Sequence, residues 1–237
     1  MELTYLTFVA VFLLVPIVGL ALLGGRPPMR RRDAMGTVIL VALALAYTAP
    51  WDQHLIRQGV WGYAVGAVAL RFGSIPIEEL LFMTLQPVLA GLWLARFDDD
   101  APDVAGRIPM NRRAIGVGIA GIVFLAGLAL LATPKTFYLG AILAWGAPIL
   151  AIQWAFDWPY LLARWRTVAV GVGVPTLYLC VADRIAIHEG IWFFSTRYTT
   201  GLTIGGLPIE EGAFFLATTL FVVQGLVLFR GLMERWN

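Results

Sequence analysis

Long apolar runs separated by short polar breaks rich in proline, glycine and arginine make up almost the whole chain. Seven runs approach the length of a membrane-spanning helix: Leu3 to Leu23, Ala34 to Tyr47, Pro76 to Ala95, Arg113 to Leu131, Phe137 to Gln153, Arg166 to Val181 and Pro208 to Phe229. The first is too long for a signal-peptide core and has no basic start, so it is read as span 1. The second is short and recruits Met29 to Asp33 at one end. The pattern predicts an all-α membrane protein with seven transmembrane helices.

Composition supports this reading. Of 237 residues, 59% are apolar and 14% charged, whereas a soluble domain carries about 25% charged residues. Seven spans of about 20 residues would use about 140 positions. A soluble globule, a disordered chain and a nucleic-acid binder are excluded, and no nucleic-acid partner is expected. One cysteine, Cys180, forbids an intrachain disulfide and a CxxC site, and two histidines argue against a multi-histidine metal centre. No cofactor or metal is expected.

Net charge is only +2, but its placement orients the chain. Alternate loops hold Arg26, Arg30, Arg31 and Arg32, then Arg96, Arg107, Arg112 and Arg113, then Arg164 and Arg166, with Arg230 and Arg235 at the C-terminus. The opposite side holds Arg57, Arg71, Lys135, Arg184 and Arg197. The positive-inside rule puts the N-terminus outside and the C-terminus in the cytoplasm, as a multi-pass protein of the cell membrane.

Two segments match across the chain. Trp51-Asp52, Gly59-Val60-Trp61, Gly73-Ser74-Ile75-Pro76-Ile77-Glu78-Glu79 and Phe82 correspond to Ala182-Asp183, Gly190-Ile191-Trp192, Gly205-Gly206-Leu207-Pro208-Ile209-Glu210-Glu211 and Phe214. The spacing from Asp to Gly-x-Trp is identical, and that from Gly-x-Trp to Pro-Ile-Glu-Glu differs by one residue. Internal duplication is common in membrane bundles. The expected organisation is a first repeat over 1–95 (spans 1 to 3), a linking segment over 96–135 carrying span 4, and a second repeat over 136–237 (spans 5 to 7). Four crossings separate the repeat starts, so the repeats are parallel and bring the two Pro-Ile-Glu-Glu sites together.

Six acids sit at matching positions: Asp52, Glu78, Glu79, Asp183, Glu210 and Glu211. Pro76 and Pro208 are suited to opening spans 3 and 7, which puts the glutamates in a first helical turn. There the helix dipole favours an anion while apolar surroundings disfavour charge. Capping, or pairing with Arg57, Arg71, Arg184 or Arg197, is the ordinary alternative. A charge deep in a span costs about 2.5 to 3.5 kcal/mol or more, so a duplicated glutamate pair points to function.

The stretches Thr48 to Ile75 and Ala182 to Leu207 read as long loops, lids over the acids, with Val60 to Leu70 interfacial or re-entrant. They bring aromatic residues, including Trp51, Trp61 and Trp192, beside the carboxyls; Phe82, Phe214 and Phe215 follow in the spans. Aromatic faces stabilise cations by about 0.5 to 2 kcal/mol. Acids, aromatic walls and restricted water suit proton transfer to and from a hydrocarbon through a carbocation.

The Pro-Ile-Glu-Glu motifs, Trp51-Asp52 and the two Gly-x-Trp elements resemble the membrane-embedded lycopene cyclase domain, in its fused form with two three-span units joined by an extra span. The second copy departs from the first in having Ala182 in place of Trp51. The resemblance implies conversion of the linear ends of lycopene to β-rings, through γ-carotene to β-carotene, with no net redox change. It implies Glu78 and Glu210 first as acids, because the family's second position accepts glutamine. Glu79, Glu211, Asp52 and Asp183 follow, with Trp51, Trp61, Phe82, Trp192, Phe214 and Phe215 against the substrate. Expected partners are lycopene or a related carotenoid and the lipid bilayer, with other carotenoid-pathway enzymes or a second copy of the chain as further candidates. Some relatives carry a fused phytoene synthase domain, which is not expected here.

Other motifs fail on context. Gly116 to Gly121 fits the GxGxxG fingerprint but lies inside span 4 without a preceding strand, and is read as small-residue helix packing. Asp99-Asp100-Ala101-Pro102-Asp103 fits DDxxD but has no second acidic motif. The only lysine, Lys135, precedes span 5, so a retinal Schiff base in a late span is excluded. His54 and His188 lie beside the acids in sequence and read as interfacial polar contacts or proton relays. A proton-coupled carrier using the glutamates is the alternative of another class, and a cyclase for longer carotenoids or other ring types is the nearer one.

Overall fold

A computed structural model describes residues 3–23, 29–96 and 110–236, with side chains described up to residue 234. Among the described residues, seven helices are long and apolar enough to cross a membrane. They are α1 (Tyr5–Leu22), α2 (Arg31–Gln58), α3 (Ile77–Leu94), α4 (Met110–Leu131), α5 (Phe137–Ala163), α6 (Trp165–His188) and α7 (Ile209–Trp236). The Asp99–Asp103 motif lies outside the described residues.

Among the helices that run further than their apolar stretches predict, two carry site acids in the added turns. α2 passes through Pro50 to Gln58, and α6 continues to His188. Asp52 and Asp183 are therefore buried on helix faces, not carried in lid loops. Thr48, Asp52 and Leu55 form one buried stripe of α2 at helical spacing. His54 and His188, in the last turns, are exposed; His54 bonds Gln58 at 3.1 Å.

Both helices end alike. Gly59 (φ 73°) and Gly190 (φ 72°) adopt the left-handed conformation, and the next amide bonds back into the helix, Val60 N to Leu55 O at 3.1 Å and Ile191 N to Ala186 O at 3.0 Å. The chain then enters a short strand, β1 (Trp61–Tyr63) or β4 (Trp192–Phe194). These pair antiparallel with each other, in the register Trp61 with Phe194, Gly62 with Phe193 and Tyr63 with Trp192. Ser195 N to Val60 O (2.8 Å) and Ala64 N to Ile191 O (3.1 Å) extend the ladder at both ends. A side chain at Gly62 would strike the Phe193 ring, its Cβ falling 2.8 Å from Cζ, so glycine admits the crossing.

Each strand leads into a strap that returns to the next helix. β2 (Arg71–Phe72) pairs with β3 (Ile75–Pro76) around Gly73, and β5 (Thr203–Ile204) with β6 (Leu207–Pro208) around Gly205 and Gly206. The Gly-to-Pro motif is thus a hairpin delivering the proline to the start of α3 or α7. Tyr5 N bonds Ala67 O at 2.9 Å, and Tyr138 N bonds Tyr198 O at 3.1 Å, which ties the starts of α1 and α5 to the straps.

α7 is the central helix, packed on α2, α3, α5 and α6, while α1 lies against α3. α4 sits outside, paired with α5. At the end away from the straps, Arg230 grips Asp33 with Nε at 2.8 Å and Nη2 at 3.2 Å, joining α2 to α7. The α4–α5 contact is a backbone approach: a Cβ on Gly127 would lie 2.6 Å from Ala144 N, and one on Gly140 2.7 Å from Leu131 N. Of the GxGxxG glycines, Gly116 packs on Trp154, while Gly118 and Gly121 face open space.

Gly140→Val is expected to destabilise the protein by about 1 to 3 kcal/mol, read as a lower thermal midpoint in detergent. Gly118→Ala, with room for the methyl, is expected to leave stability unchanged or raise it by about 0.5 to 1 kcal/mol.

Candidate active site

Where α2 and α6 end and α1, α3, α5 and α7 begin, the bundle encloses a cavity of about 60 Å³. Asp52, Glu79, Asp183 and Glu211 line it together with an aromatic wall that includes Trp61, Trp192, Phe82, Phe214 and Phe215. Sequence separations of up to 159 positions thus collapse to one hollow. Asp52, Asp183 and Glu211 are buried and Glu79 is partly buried. Glu79 and Glu211 sit in the first turns of α3 and α7, where helix dipoles point into the hollow.

The four acids have different partners. The Tyr63 hydroxyl donates to Glu79, and the Trp61 indole donates to that hydroxyl at 3.0 Å. The Tyr138 hydroxyl donates to Glu211 Oε1 at 2.7 Å. The Trp192 indole donates to Asp183 Oδ1 at 2.9 Å. Among the described residues Asp52 has no hydrogen-bond donor, and its Oδ2 is buried.

Glu78 and Glu210 are placed differently from their neighbours. Both are fully buried, and neither lines the cavity. Glu78 Oε1 accepts the Ala69 backbone N–H at 2.7 Å. Glu210 Oε1 accepts the Thr200 backbone N–H at 2.7 Å and its hydroxyl at 2.8 Å. Each glutamate therefore pins the strap that precedes its own helix. Adjacent helical residues point about 100° apart, so one acid of each pair faces the strap and the other the hollow.

Trp51 does not line the hollow. It stacks on Trp145 (ring centroids 4.7 Å) and on Phe214 (6.1 Å), one ring further back. Sequence reasoning placed Tyr63 among the loop aromatics but not among the site residues, and missed Tyr5 and Tyr138; all three line the cavity. A signal for two of them exists: Tyr5-Leu6 precedes Pro16 as Tyr138-Leu139 precedes Pro148, but the first interval is one residue longer. The structure absorbs that residue in a π-helical turn at Ala10–Leu14.

Beside the hollow lies a larger, apolar cavity of about 350 Å³ between α2, α3, α5 and α7. Phe82, Met83 and Phe214 line both spaces and form the partition between them. Leu43 of α2 and Ile152 of α5 line the larger space and are 58% and 71% exposed, so it opens sideways on the apolar flank. Near the partition, the Tyr47 hydroxyl bonds the Trp145 carbonyl at 2.9 Å and bridges α2 to α5.

A family model described as lycopene cyclase matches residues 2–97 and 120–229. The chain belongs to the lycopene cyclase family. A protein of Halobacterium salinarum named lycopene beta-cyclase is 48% identical over the full length of both chains. Two proteins named bifunctional lycopene cyclase/phytoene synthase are 34% identical, in Aspergillus niger, and 32% identical, in Aspergillus oryzae. The matches cover 85% and 90% of this chain, and 36% and 37% of those longer proteins. No solved structure matches. The family match skips 98–119, within the segment expected to link the two repeats, and takes in every acid of the hollow.

Glu78→Ala or Glu210→Ala should cost about 1 to 3 kcal/mol, since each orphans a strap amide. Hydrogen exchange at Ala69 or Thr200 should accelerate. The Gln variants keep a carbonyl acceptor and should retain most of that protection.

Proposed function

We propose that the protein cyclises the linear ends of lycopene to β-rings, giving γ-carotene and then β-carotene. The carrying observation is four carboxyl groups in one aromatic-walled hollow that shares a wall with an apolar cavity open to the side. The names of the relatives support the substrate. The polyene lies in the larger cavity and passes its reactive end across the Phe82–Met83–Phe214 partition. Substrate partitioned in the bilayer enters between α2 and α5.

A carboxylic acid of the hollow protonates the terminal double bond, which leaves a tertiary cation. The neighbouring double bond attacks it and closes a six-membered ring. A carboxylate then takes the adjacent ring proton, and the released electron pair becomes the ring double bond. One proton enters and one leaves, so no electrons are exchanged. Trp61, Trp192, Phe214 and Phe215 face the cation and exclude water. On this reading Glu78 and Glu210 act through the straps, and Trp51 through Phe214.

The seven helices span the cell membrane with the hollow near the outer side and the C-terminus in the cytoplasm. The two three-span units are parallel repeats related by an axis along the membrane normal, with α4 as the linker. The matched helix ends, hairpins and strap bonds support this arrangement.

In cells that make lycopene, expression of the chain should convert it to mono- and bicyclic products, scored by pigment extraction and chromatography. Glu79→Gln and Glu211→Gln should each lower ring formation by about 100-fold or more while the protein stays in the membrane. Unchanged lycopene with the intact chain would remove the proposal and leave the carrier as the better reading of the buried acids.

A further inference from the structure

The four acids of the hollow are not equivalent, and the difference traces to one position. Residues 61–63 and 192–194 occupy matching places in the two segments, and where the first has Tyr63 the second has Phe194. Phe194 has no hydroxyl, and the Trp192 indole reaches Asp183 at 2.9 Å. In the other copy the Trp61 indole is taken by the Tyr63 hydroxyl at 3.0 Å, and that hydroxyl donates to Glu79. Asp52, the counterpart of Asp183, is left without a donor.

We propose that Asp52 is the proton donor to the terminal alkene and that Asp183 stands on the proton-accepting side. This rests on the cyclase reading above. An ionised carboxylate without water or donors is very costly in such a place, whereas the neutral acid is far less so. Asp52, whose Oδ2 is buried without a partner and which has no donor among the described residues, is therefore held as the protonated acid, whereas Asp183 shares the unpartnered Oδ2 but has its Oδ1 bonded. A carboxylate that accepts an indole N–H keeps a charge-assisted bond, so Asp183 suits the opposite role. Tyr63 is the positioning residue that creates the difference, by holding Trp61 away from Asp52.

The step balances. The Asp52 proton goes, with the alkene electron pair, to the CH carbon of the terminal double bond, leaving the tertiary cation at its dimethyl carbon. The next alkene supplies the pair for the ring bond. The C–H pair beside the new cation becomes the ring double bond, and its proton passes to Asp183. Asp183 passes its proton to water, and Asp52 is reloaded from water before the next closure.

The test is lycopene in lipid vesicles made up in D2O, with the full chain and its isosteric variants. The intact chain should place one deuterium in each new ring. Asp52→Asn should form no ring and leave lycopene free of deuterium. Asp183→Asn should also lose β-ring yield, but recovered hydrocarbon should carry deuterium, because protonation still occurs and then reverses or ends in another double-bond position. Tyr63→Phe, which lets Trp61 reach Asp52 as Trp192 reaches Asp183, should slow ring formation without altering the circular dichroism. Rings or deuterium exchange at wild-type rate with Asp52→Asn, or with Tyr63→Phe, would overturn the assignment. The reverse labelling pattern between the two Asp variants would exchange the roles. A deuterium-free, uncyclised result with the intact chain would instead overturn the cyclase reading.

Discussion

The arrangement depends on a pair of hydrogen bonds that tie the straps to the helices they precede. Glu78 and Glu210, each sealed from solvent, accept a strap amide at 2.7 Å. A buried carboxyl left without such a partner would cost several times what the bond contributes, so the straps are held where the acids are. The straps position the paired strands, the strands carry Tyr63 and Trp192, and these reach Glu79 and Asp183. The straps also hold the start of α5, from which Tyr138 reaches Glu211. The donors to three of the four acids of the hollow thus trace back to two glutamates that do not line it.

Apolar packing alone would close the same space. The bundle core is built from Leu, Val, Ala and Phe on α3, α5, α6 and α7, and such residues fill voids to the density of an organic crystal. The hollow stays open because aromatic rings brace one another across it. Trp51, Trp145 and Phe214 stack, and Tyr5, Phe8 and Trp192 meet edge and face on the other side. Rigid rings with two rotatable bonds hold a shape at low entropic cost, and their faces tolerate a passing positive charge.

Long apolar periodicity made the helices legible, because nothing else in the chain competes with runs of that length. The ends of α2 and α6 were hidden for a physical reason. Thr48 to Gln58 contains Pro50 and five polar or charged side chains beyond Trp51, a composition that reads as a turn. The helix continues through Pro50 with Asp52 and Leu55 buried, Leu55 in one cluster with Val60 and Trp61. The strands were hidden because three residues carry no period, and the partners lie 129 to 133 positions away. The matching acids were legible as a set, whereas the direction of each was not: a one-residue step turns Glu79 inward and Glu78 toward the strap. The family resemblance came from those same motifs, and the relatives' matches span them.

A reaction that adds a proton at one carbon and removes one at another needs two groups that differ when substrate arrives. Two copies of one unit facing each other would present identical acids, and neither would be favoured as donor. The protein breaks that symmetry with very little. A phenol at 63 against a plain ring at 194 gives one indole N–H a hydroxyl partner, and leaves one aspartic acid bare while its counterpart is bonded. The extra residue of the α1 π turn and the missing tryptophan at Ala182 are further departures on the same scale. The convergence of acids draws on both matching segments, Asp52 and Glu79 from one and Asp183 and Glu211 from the other. On the reading proposed above, the small differences between the two matching segments set the direction of proton flow across the hollow.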